Sequence, residues 1–399
     1  MQLETNPQDA EYRARAREWL AGALPPGWGR TVREPSDEEQ RIKFRHKWDR
    51  ELFAGGWAGI TWPRAYGGQG ATVVQKAIFL EESARARAPE GMAIVGRNVV
   101  GPTIIAHGSE EQKKRFIRPI LAAEEIWCLG LSEPNSGSDL ASVRCRADAV
   151  PGGYKITGQK VWTSYAQYAS RCLLLARTDT EVPAHRGLTL FLLDMKAPRV
   201  TVRPLTQLTG ASEFNEVFFD GVFVPADCVV GQPGGGWQIL QTSLAAERGP
   251  EEGMHRQTLY KQYFDELVDW AHQPAHGRKA PIGDPIVRQR LAQSFVELEI
   301  MRLDCIRGLA GVQAKRPPGA SSSVTKLYWS HMIQRVMDTA MELQAPGSIL
   351  STGDPDSPSD GLFQFEFLWS RAATIYSGAS QIQRNVIAER ILGLPKAGR

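Results

Sequence analysis

The chain changes its hydrophobic period twice, and these two changes constrain its fold more than any other sequence feature. Apolar residues recur at helical spacing through about the first 125 positions and again from Gly234 onward. Between them, several segments follow a period of two, are rich in β-branched and aromatic residues, and are separated by Gly, Pro and Asp turns. The predicted strands are 143–150, 154–163, 171–178, 188–195, 200–205 and 215–224. Since no helical segments alternate with them, we predict an antiparallel β domain rather than a Rossmann sheet.

This order of segments predicts three domains, namely an α-helical domain at 1–125, a β domain at 126–232 and a helical bundle at 233–399. In the first domain, a helix ends before Pro25 and Pro26. Ser36, which has capping-box spacing to Glu39, is predicted to start a second helix. Further helices are predicted at about 74–88 and, capped by Ser109 with Gln112, at about 110–122.

Four long antiparallel helices are predicted in the last domain. The first covers 237–271, the second starts at Asp284, the third covers 323–343, and the last includes 371–385. One apolar face of the second helix is predicted to be buried, and it comprises Leu291, Phe295, Leu298, Cys305 and Leu309.

The stretch 371–385 interrupts one helical pattern and starts another. Small residues form a tight turn at 377–380, and Ser380 is predicted to be the N-cap of the helix that follows. Because Gly378 and the neighbouring hydroxyls leave the backbone accessible, a flat ligand could approach it closely. An ordinary turn between helices is the simpler alternative.

Composition excludes several classes of function. The net charge of +3 indicates neither a nucleic acid partner nor an acidic membrane surface. The five cysteines are scattered and never spaced as Cys-x-x-Cys, which favours a reducing compartment and argues against a zinc site. His272 and His276 have helical spacing, but Pro274 lies between them, so we expect them to be solvated. Acidic residues are interleaved with the N-terminal arginines, and a cytoplasmic location is expected.

Four sequence blocks, taken in order, resemble those of acyl-CoA dehydrogenases. They are 127–139 (WCLGLSEPNSGSD), 158–164 (GQKVWTS), 214–220 (FNEVFFD) and 380–384 (SQIQR). The resemblance covers essentially the whole chain. It implies an α+β, mainly α fold with an N-terminal helical domain, a central antiparallel β domain and a C-terminal four-helix bundle. It also implies FAD as cofactor, α,β-dehydrogenation of an acyl-CoA thioester to a trans-2-enoyl-CoA, and electron-transferring flavoprotein as acceptor.

The same resemblance implies a set of site residues. A planar isoalloxazine ring can stack on a tryptophan and accept hydrogen bonds at its edge from backbone and hydroxyl groups. Taken singly, Trp162 would be read as a core residue and Ser132 as a turn hydroxyl. The residues implied for the cofactor are Leu131, Ser132, Gly137, Ser138, Trp162, Thr163, Ser164 and Gln381. Those implied for acyl-CoA are Ser138, Arg248, Ser377 and Gly378.

The position of the catalytic base is where this sequence differs from many members of the family. Many carry a Glu between the Tyr and Gly of the 371–385 stretch, where this chain has Ser377. Others place the base directly before an Arg near the start of the first bundle helix, and here that residue is Glu247. We therefore predict Glu247 as the base that removes the α-proton. A surface Glu at a helix start is the alternative role, and Glu251 and Glu252 are neighbouring rivals.

Two segments depart from the family pattern. An Arg-x-x-Phe segment is replaced by 277–284, and a Gln-x-x-Gly-Gly-x-Gly loop is reduced to 344–348. In family homotetramers both reach a neighbour's flavin, so their loss favours an α2β2 assembly with a related subunit over self-association. Ser377 also leaves room for a branched, long or polycyclic, steroid side-chain-like acyl group. A non-catalytic structural subunit and an acyl-CoA oxidase of the same fold stay as alternatives.

Overall fold

The structure is a computed structural model that describes residues 6–29, 31–247, 249–274, 279–316, 320–350, 352–354 and 356–396, without the side chains of 242, 244–247, 345 and 346. Its helices are α1 (Pro7–Ala23), α2 (Glu38–Ala54), α3 (Val73–Arg85), α4 (Gly101–His107), α5 (Glu110–Leu121), α6 (Gly236–Glu247), α7 (Pro250–Ala271), α8 (Pro285–Gln313), α9 (Ser321–Gln344), α10 (Leu362–Ser370) and α11 (Ser380–Val386). Its strands are β1 (Trp127–Gly130), β2 (Arg146–Val150), β3 (Gly153–Ser164), β4 (Arg171–Arg177), β5 (Leu188–Asp194), β6 (Val200–Leu205), β7 (Phe214–Pro225) and β8 (Val229–Val230).

The chain divides into two compact units, each with its own hydrophobic core. The β unit contains the described residues of Pro25–Thr72 and Pro89–Arg248, which include all the strands above and helices α2, α4, α5 and α6. The helical unit contains those of Met1–Leu24, Val73–Ala88 and Gly249–Arg399. The domain boundaries near 125 and 232 stay a prediction.

The sheet of the β unit has the strand order β6-β7-β3-β2-β4-β5-β8, and β1 pairs with β4. Strands β4 and β5 are buried along almost their whole length, which explains their continuous apolar sequences. The predicted antiparallel character holds for most strand pairs, but β1 runs parallel to β4 and β2 also pairs with β4 in parallel. Strands β1 and β8 were also missed, since two to four residues are too few to show a period.

The helices of the β unit begin at local capping signals. Helix α5 has the predicted capping box, in which the Ser109 hydroxyl accepts from the backbone N–H of Gln112 and the Gln112 side chain accepts from that of Ser109. At α2, however, the N-cap is Asp37 rather than Ser36, and its carboxylate accepts from the backbone N–H of Gln40. An ionised carboxylate is the stronger acceptor at a helix N-terminus, which accounts for the shift of one residue.

The helical unit packs α7, α8 and α9 around Leu267, Leu298, Met301, Met332 and Met337. Helices α1 and α3 belong to the same unit.

The predicted fourth long helix is instead two short ones, α10 and α11, on either side of the 371–379 turn. The buried face of α8 includes Leu291, Leu298 and Cys305, but Phe295 was assigned to it wrongly, because its side chain is 45% exposed. Among the described helices, none combines the length and apolar character that a membrane crossing requires.

Candidate active site

The loop after β1 is held in place by a buried acidic residue, Glu133. Its carboxylate accepts from the backbone N–H groups of Arg144 and Cys145, at 2.6 and 2.8 Å. It also forms an ion pair with Lys160 on β3, whose Nζ lies 2.9 Å from Oε1. A carboxylate with three donors satisfies most of its acceptor capacity inside the protein, so the loop has one defined conformation.

Lys160 connects this loop to the strand that carries Trp162. Its side chain is fully buried, and Nζ donates a second hydrogen bond to the Leu131 carbonyl at 2.9 Å. The Ser132 carbonyl accepts from the backbone N–H of Val161. The tertiary structure thus brings Leu131 and Ser132, both predicted cofactor residues, next to Trp162. Glu133 and Lys160 lie within the sequence motifs, which predicted no role for either residue, although a lysine inside an apolar strand was a usable signal.

Trp162 lies in a β-bulge of β3. Lys160 pairs with Val217 and Thr163 with Asn215, so Val161 and Trp162 together oppose one residue of β7. The backbone of Trp162 has φ +60°, a left-handed conformation that is strained for a bulky residue. Its indole is nevertheless 61% exposed, with one edge against Phe214 at a ring separation of 6.2 Å. Strained backbone and an exposed aromatic ring together are typical of a ligand contact.

The neighbouring predicted residues differ in accessibility. Thr163 is fully buried, and within the described part of the chain its hydroxyl has no hydrogen-bond partner, while its carbonyl accepts from Asn215 Nδ2. Ser164 pairs with Phe214 at the end of β3. Gly137 and Ser138 are exposed, and a Cβ added at Gly137 would meet no atom of the chain within 4 Å. Internal packing therefore does not require this glycine, and the space above it is open to a ligand.

These residues fit a flavin. The exposed Trp162 ring offers a flat apolar surface, and the backbone of Leu131, Ser132 and Thr163 borders it with polar groups. A planar ring system with hydrogen-bonding edges is complementary to such a surface.

The 371–379 turn belongs to the helical unit. Ser377 and Gly378 both have positive φ, +51° and +89°, which turns the chain sharply between α10 and α11. Their carbonyls accept from Gln383 Nε2 at 3.3 and 3.1 Å, so this buried glutamine holds the turn. No sequence pattern had indicated this role of Gln383. The side chains of Ser377 and Gln381 are exposed.

The prediction that Ser380 caps α11 was wrong. Ala379 occupies the N-cap position, and Ser380 is the first helical residue. The Ser380 hydroxyl is instead hydrogen-bonded to Nε2 of His331, at 3.2 Å. The Ser380 hydroxyl therefore bonds to a residue of α9 and does not cap the helix as the local sequence had predicted.

The predicted base lies at a helix end. The helix predicted over 237–271 is two helices, because Pro250 disfavours helical backbone at the preceding residue, and Gly249 is the N-cap of α7. Glu247 is consequently the last residue of α6. Its side chain, like the whole of Arg248, lies outside the described residues, as do Gly277, Arg278 and His276.

The two rival glutamates differ from each other electrostatically. Glu251 is buried and folds back over Gly249, where a Cβ would lie 2.1 Å from its Oε2. Burial raises the pKa of Glu251 despite Lys76, whose Nζ is 3.4 Å away. At Glu252, burial also disfavours the anion, but Lys76 at 3.1 Å outweighs it and the pKa is lowered. Both carboxylates are therefore held by one lysine of α3.

Comparisons with known proteins cover the whole chain. Sequence models for the N-terminal, middle and C-terminal domains of acyl-CoA dehydrogenases match residues 6–124, 128–222 and 234–392. Acyl-CoA dehydrogenase IpdE1 of Mycolicibacterium smegmatis is 40% identical, across 97% of this chain and 98% of that protein. IpdE1 of Mycobacterium tuberculosis is 38% identical, across 98% of each.

Solved structures agree with these matches. The Tcur3481-Tcur3483 steroid ACAD superposes with a TM-score of 0.87 at 28% identity, and the ChsE4-ChsE5 complex from Mycobacterium tuberculosis with a TM-score of 0.85 at 27% identity. Both comparisons cover 100% of this chain and 100% of the other. The predicted fold class, with helical, β and helical domains, is confirmed. The chain belongs to the acyl-CoA dehydrogenase family, whose members are flavin-dependent oxidoreductases.

Proposed function

We propose that this chain catalyses the FAD-dependent α,β-dehydrogenation of an acyl-CoA thioester to a trans-2-enoyl-CoA, with Glu247 as the base. One observation carries the proposal: this family member has Glu247 directly before Arg248, while Ser377 stands where many relatives carry the base. A serine hydroxyl is far too weakly basic to remove an α-proton unaided.

The end of α6 supports a role for Glu247 as proton acceptor. Glu247 stands at the C-terminal end of α6, where the helix dipole gives no stabilisation to an anion. A Glu that served only to complement a helix dipole would stand at the opposite end.

The other residues of the site have binding and orienting roles. We assign Trp162 to stacking on the isoalloxazine, and Leu131, Ser132, Gly137, Ser138, Thr163, Ser164 and Gln381 to contacts with the cofactor. Ser138, Arg248, Ser377 and Gly378 are assigned to acyl-CoA. When bound, FAD would accept the β-hydride, and electron-transferring flavoprotein is proposed as the electron acceptor.

We propose a branched, long or polycyclic acyl group as substrate. The small Ser377 side chain at the turn leaves space that a glutamate would fill. A relative described as a steroid ACAD has the same fold across its full length.

We also propose an α2β2 assembly with a related subunit. The segments at 277–284 and 344–348, which in the family complete a neighbour's flavin site, lack the family residues here. Two of the similar solved structures are of paired proteins, Tcur3481-Tcur3483 and ChsE4-ChsE5. Helix α8 also exposes apolar side chains that a subunit interface would cover, namely Phe295, Val296, Ile300 and Leu303, each 45–49% exposed.

The test is anaerobic flavin reduction by a panel of acyl-CoAs, with the protein co-produced with its related subunit. We expect Glu247→Gln to bind FAD and acyl-CoA normally but to reduce flavin about 10²- to 10⁴-fold more slowly, because the base has been removed. Glu251→Gln should retain the rate. A double variant, Glu247→Gln with Ser377→Glu, should recover part of it, since the resemblance places both positions over the same face of the flavin.

Each other outcome identifies an alternative. An unchanged rate in Glu247→Gln, together with a loss in Glu251→Gln, would transfer the role of base to Glu251. If neither change affects the complex, the chain is a non-catalytic partner subunit. Rapid reoxidation of substrate-reduced flavin by oxygen would identify an acyl-CoA oxidase.

A further inference from the structure

Arg256 of α7 lies against a group of aromatic rings behind the turn that contains Ser377. Its guanidinium carbon is 4.9 Å from the centre of the Trp329 ring. Trp329 is in turn close to Tyr260 and to Tyr376, with ring separations of 6.4 and 6.3 Å. We call Tyr260, Trp329 and Tyr376 the aromatic cradle. Tyr376 directly precedes Ser377, so the cradle continues inward from the turn.

Arg256 has no carboxylate partner within the part of the chain that the structure describes. Among the described residues, no Asp or Glu oxygen lies within 4.0 Å of its nitrogens, and its side-chain hydrogen-bond partner is the Tyr260 hydroxyl. Arg97 in the β unit shows the usual arrangement for an arginine that stays inside a protein, with Asp49 at 2.7 Å and the Leu121 carbonyl as further acceptor. A guanidinium carries five donors, so the Tyr260 hydroxyl alone cannot satisfy it, and leaving the remaining donors without acceptors in a protein interior is unfavourable.

The acidic groups that influence Arg256 are engaged elsewhere. Glu252, one turn earlier on α7, is paired with Lys76 at 3.1 Å. Glu366 on α10 accepts a hydrogen bond from the Tyr263 hydroxyl at 3.3 Å, and burial raises its pKa to about 7. Neither carboxylate forms an ion pair with Arg256, so its donors stay available to an acceptor from outside the chain.

A second cation reinforces the positive character of this region. Lys326 donates to the Ala373 carbonyl at 2.6 Å, and its Nζ lies 5.7 Å from the ring centres of both Trp329 and Tyr376. Both cations lie against aromatic faces, an arrangement that stabilises a positive charge. Arg256 and Lys326 together therefore favour an oxygen acceptor at the cradle over a purely hydrocarbon chain.

We propose that Arg256 is a specificity residue, which donates hydrogen bonds to a carbonyl or carboxylate oxygen carried by the acyl group at a distance from its thioester. This inference rests on the proposed function and adds the chemical class of its substrate. Arginine is suited to the role because its planar fork can donate two parallel hydrogen bonds to such an acceptor.

The experiment compares three CoA thioesters: 3-cyclohexylpropionyl-CoA, 3-(4-oxocyclohexyl)propionyl-CoA and 3-(4-carboxycyclohexyl)propionyl-CoA. Dissociation constants for the flavin-loaded, co-produced enzyme are measured by calorimetry under anaerobic conditions. We expect one of the two oxygenated thioesters to bind about 10- to 100-fold more tightly than the first, as a hydrogen bond to a charged donor allows. Whichever of the two oxygenated thioesters binds more tightly identifies the acceptor as a ketone or a carboxylate.

Arg256→Met should remove this preference and leave the affinity for 3-cyclohexylpropionyl-CoA unchanged or improved. It should fold normally, because the removed charge has no ion-pair partner to leave uncompensated. Arg256→Lys should keep part of the preference. Arg335→Met, which removes an arginine paired with Glu297 on a different face of the unit, is the matched control and should keep all of it.

Two results would overturn the inference. One is equal binding of all three thioesters by the unmodified enzyme. The other is a uniform loss of affinity and thermal stability in Arg256→Met, which would make Arg256 a structural residue. Because the readout is binding, it is independent of turnover: absence of flavin reduction by any thioester would contradict the proposed function but would leave the affinity ratio as a valid test of Arg256.

Discussion

Among single residues, Lys160 is expected to have a large effect on stability. Replacement by Met would leave the Glu133 carboxylate buried without its ion-pair partner, which costs about 3–5 kcal/mol of unfolding free energy. The Leu131 carbonyl would also lose a donor, so flavin affinity should fall together with stability. Urea unfolding and flavin titration measure the two effects.

Two further variants make this prediction specific. Lys155→Met, on the same strand but exposed, should change stability by less than about 0.5 kcal/mol. Glu133→Gln added to Lys160→Met should restore part of the loss, because it removes the uncompensated buried charge and keeps an acceptor oxygen for one of the Arg144 and Cys145 N–H groups. If the single Lys160→Met change costs less than about 1 kcal/mol, the ion pair does not hold the loop.

Trp162 offers a test that separates cofactor binding from stability. Trp162→Gly would relieve a left-handed backbone that costs roughly 1–2 kcal/mol and would remove little buried surface. The flavin-free protein should therefore be as stable or more stable, while flavin affinity falls about 10-fold or more through lost stacking. Trp127→Ala is the contrasting variant: its buried ring packs edge-on against Phe116, and about 3–5 kcal/mol should be lost. Clear destabilisation by Trp162→Gly would show instead that the indole is structural.

At the scale of elements, the packing of α10 against α7 makes stability depend on pH through Glu366. Burial raises the pKa of this carboxyl to about 7 from 4.5, against smaller opposing effects of Tyr263 and Arg256. Between these two pH values the folded chain holds a proton that the unfolded chain has lost, so stability falls as pH rises. The contribution is at most about 1.4 kcal/mol per pH unit.

Glu366→Gln should flatten this dependence. The variant keeps an acceptor for the Tyr263 hydroxyl but cannot ionise, so the melting temperature should fall less between pH 5 and 7 than that of the unmodified protein. Tyr263 and Arg256, the other groups at this contact, do not change charge in that window. An identical pH profile for both proteins would exclude Glu366 as the titrating group.

The ends of the helices show where local sequence signals are enough to predict an element boundary. The Ser109 capping box predicted the start of α5 correctly, because every group involved lies within one turn. The break between α6 and α7 was present in the sequence as Gly249 and Pro250 but was read as part of one helix. It matters for function, since it places Glu247 at a helix end.

At the scale of the whole molecule, the proposed α2β2 assembly predicts a flavin stoichiometry. The chain produced alone should bind substantially less than one FAD per protomer, because the segments that complete a neighbour's flavin site lack the family residues. Co-production with the related subunit should yield two FAD per tetramer. Light scattering and flavin absorbance measure mass and stoichiometry. One FAD per protomer and full turnover by the isolated chain would favour the homotetramer.

A charged substitution on α8 tests the same assembly directly. Ile300→Lys, within the exposed apolar group of α8, should prevent co-purification of the subunit and leave the isolated chain folded. Arg302→Lys, a charge-conserving change two residues away, serves as the control. Normal assembly of Ile300→Lys would exclude this face as the interface.

The sequence by itself determined the fold class, most of the strand and helix segments, and the residue blocks around Trp162 and Ser377, because periodicity and motif order are local properties of the chain. The sequence pattern placed Phe295 in the core, but the structure leaves its side chain exposed, and the pattern indicated no role for Lys160, Gln383 or Arg256. Only the tertiary structure decided the burial of Phe295 and the contacts of the other three residues. The bulge at Trp162 depends on the pairing of β3 with β7. The ion pair of Lys160 depends on the position of the loop after β1, and the environment of Arg256 depends on aromatic rings from α9 and from the turn after α10. Burial and pairing of charges arise from contacts between distant segments, which no local pattern encodes.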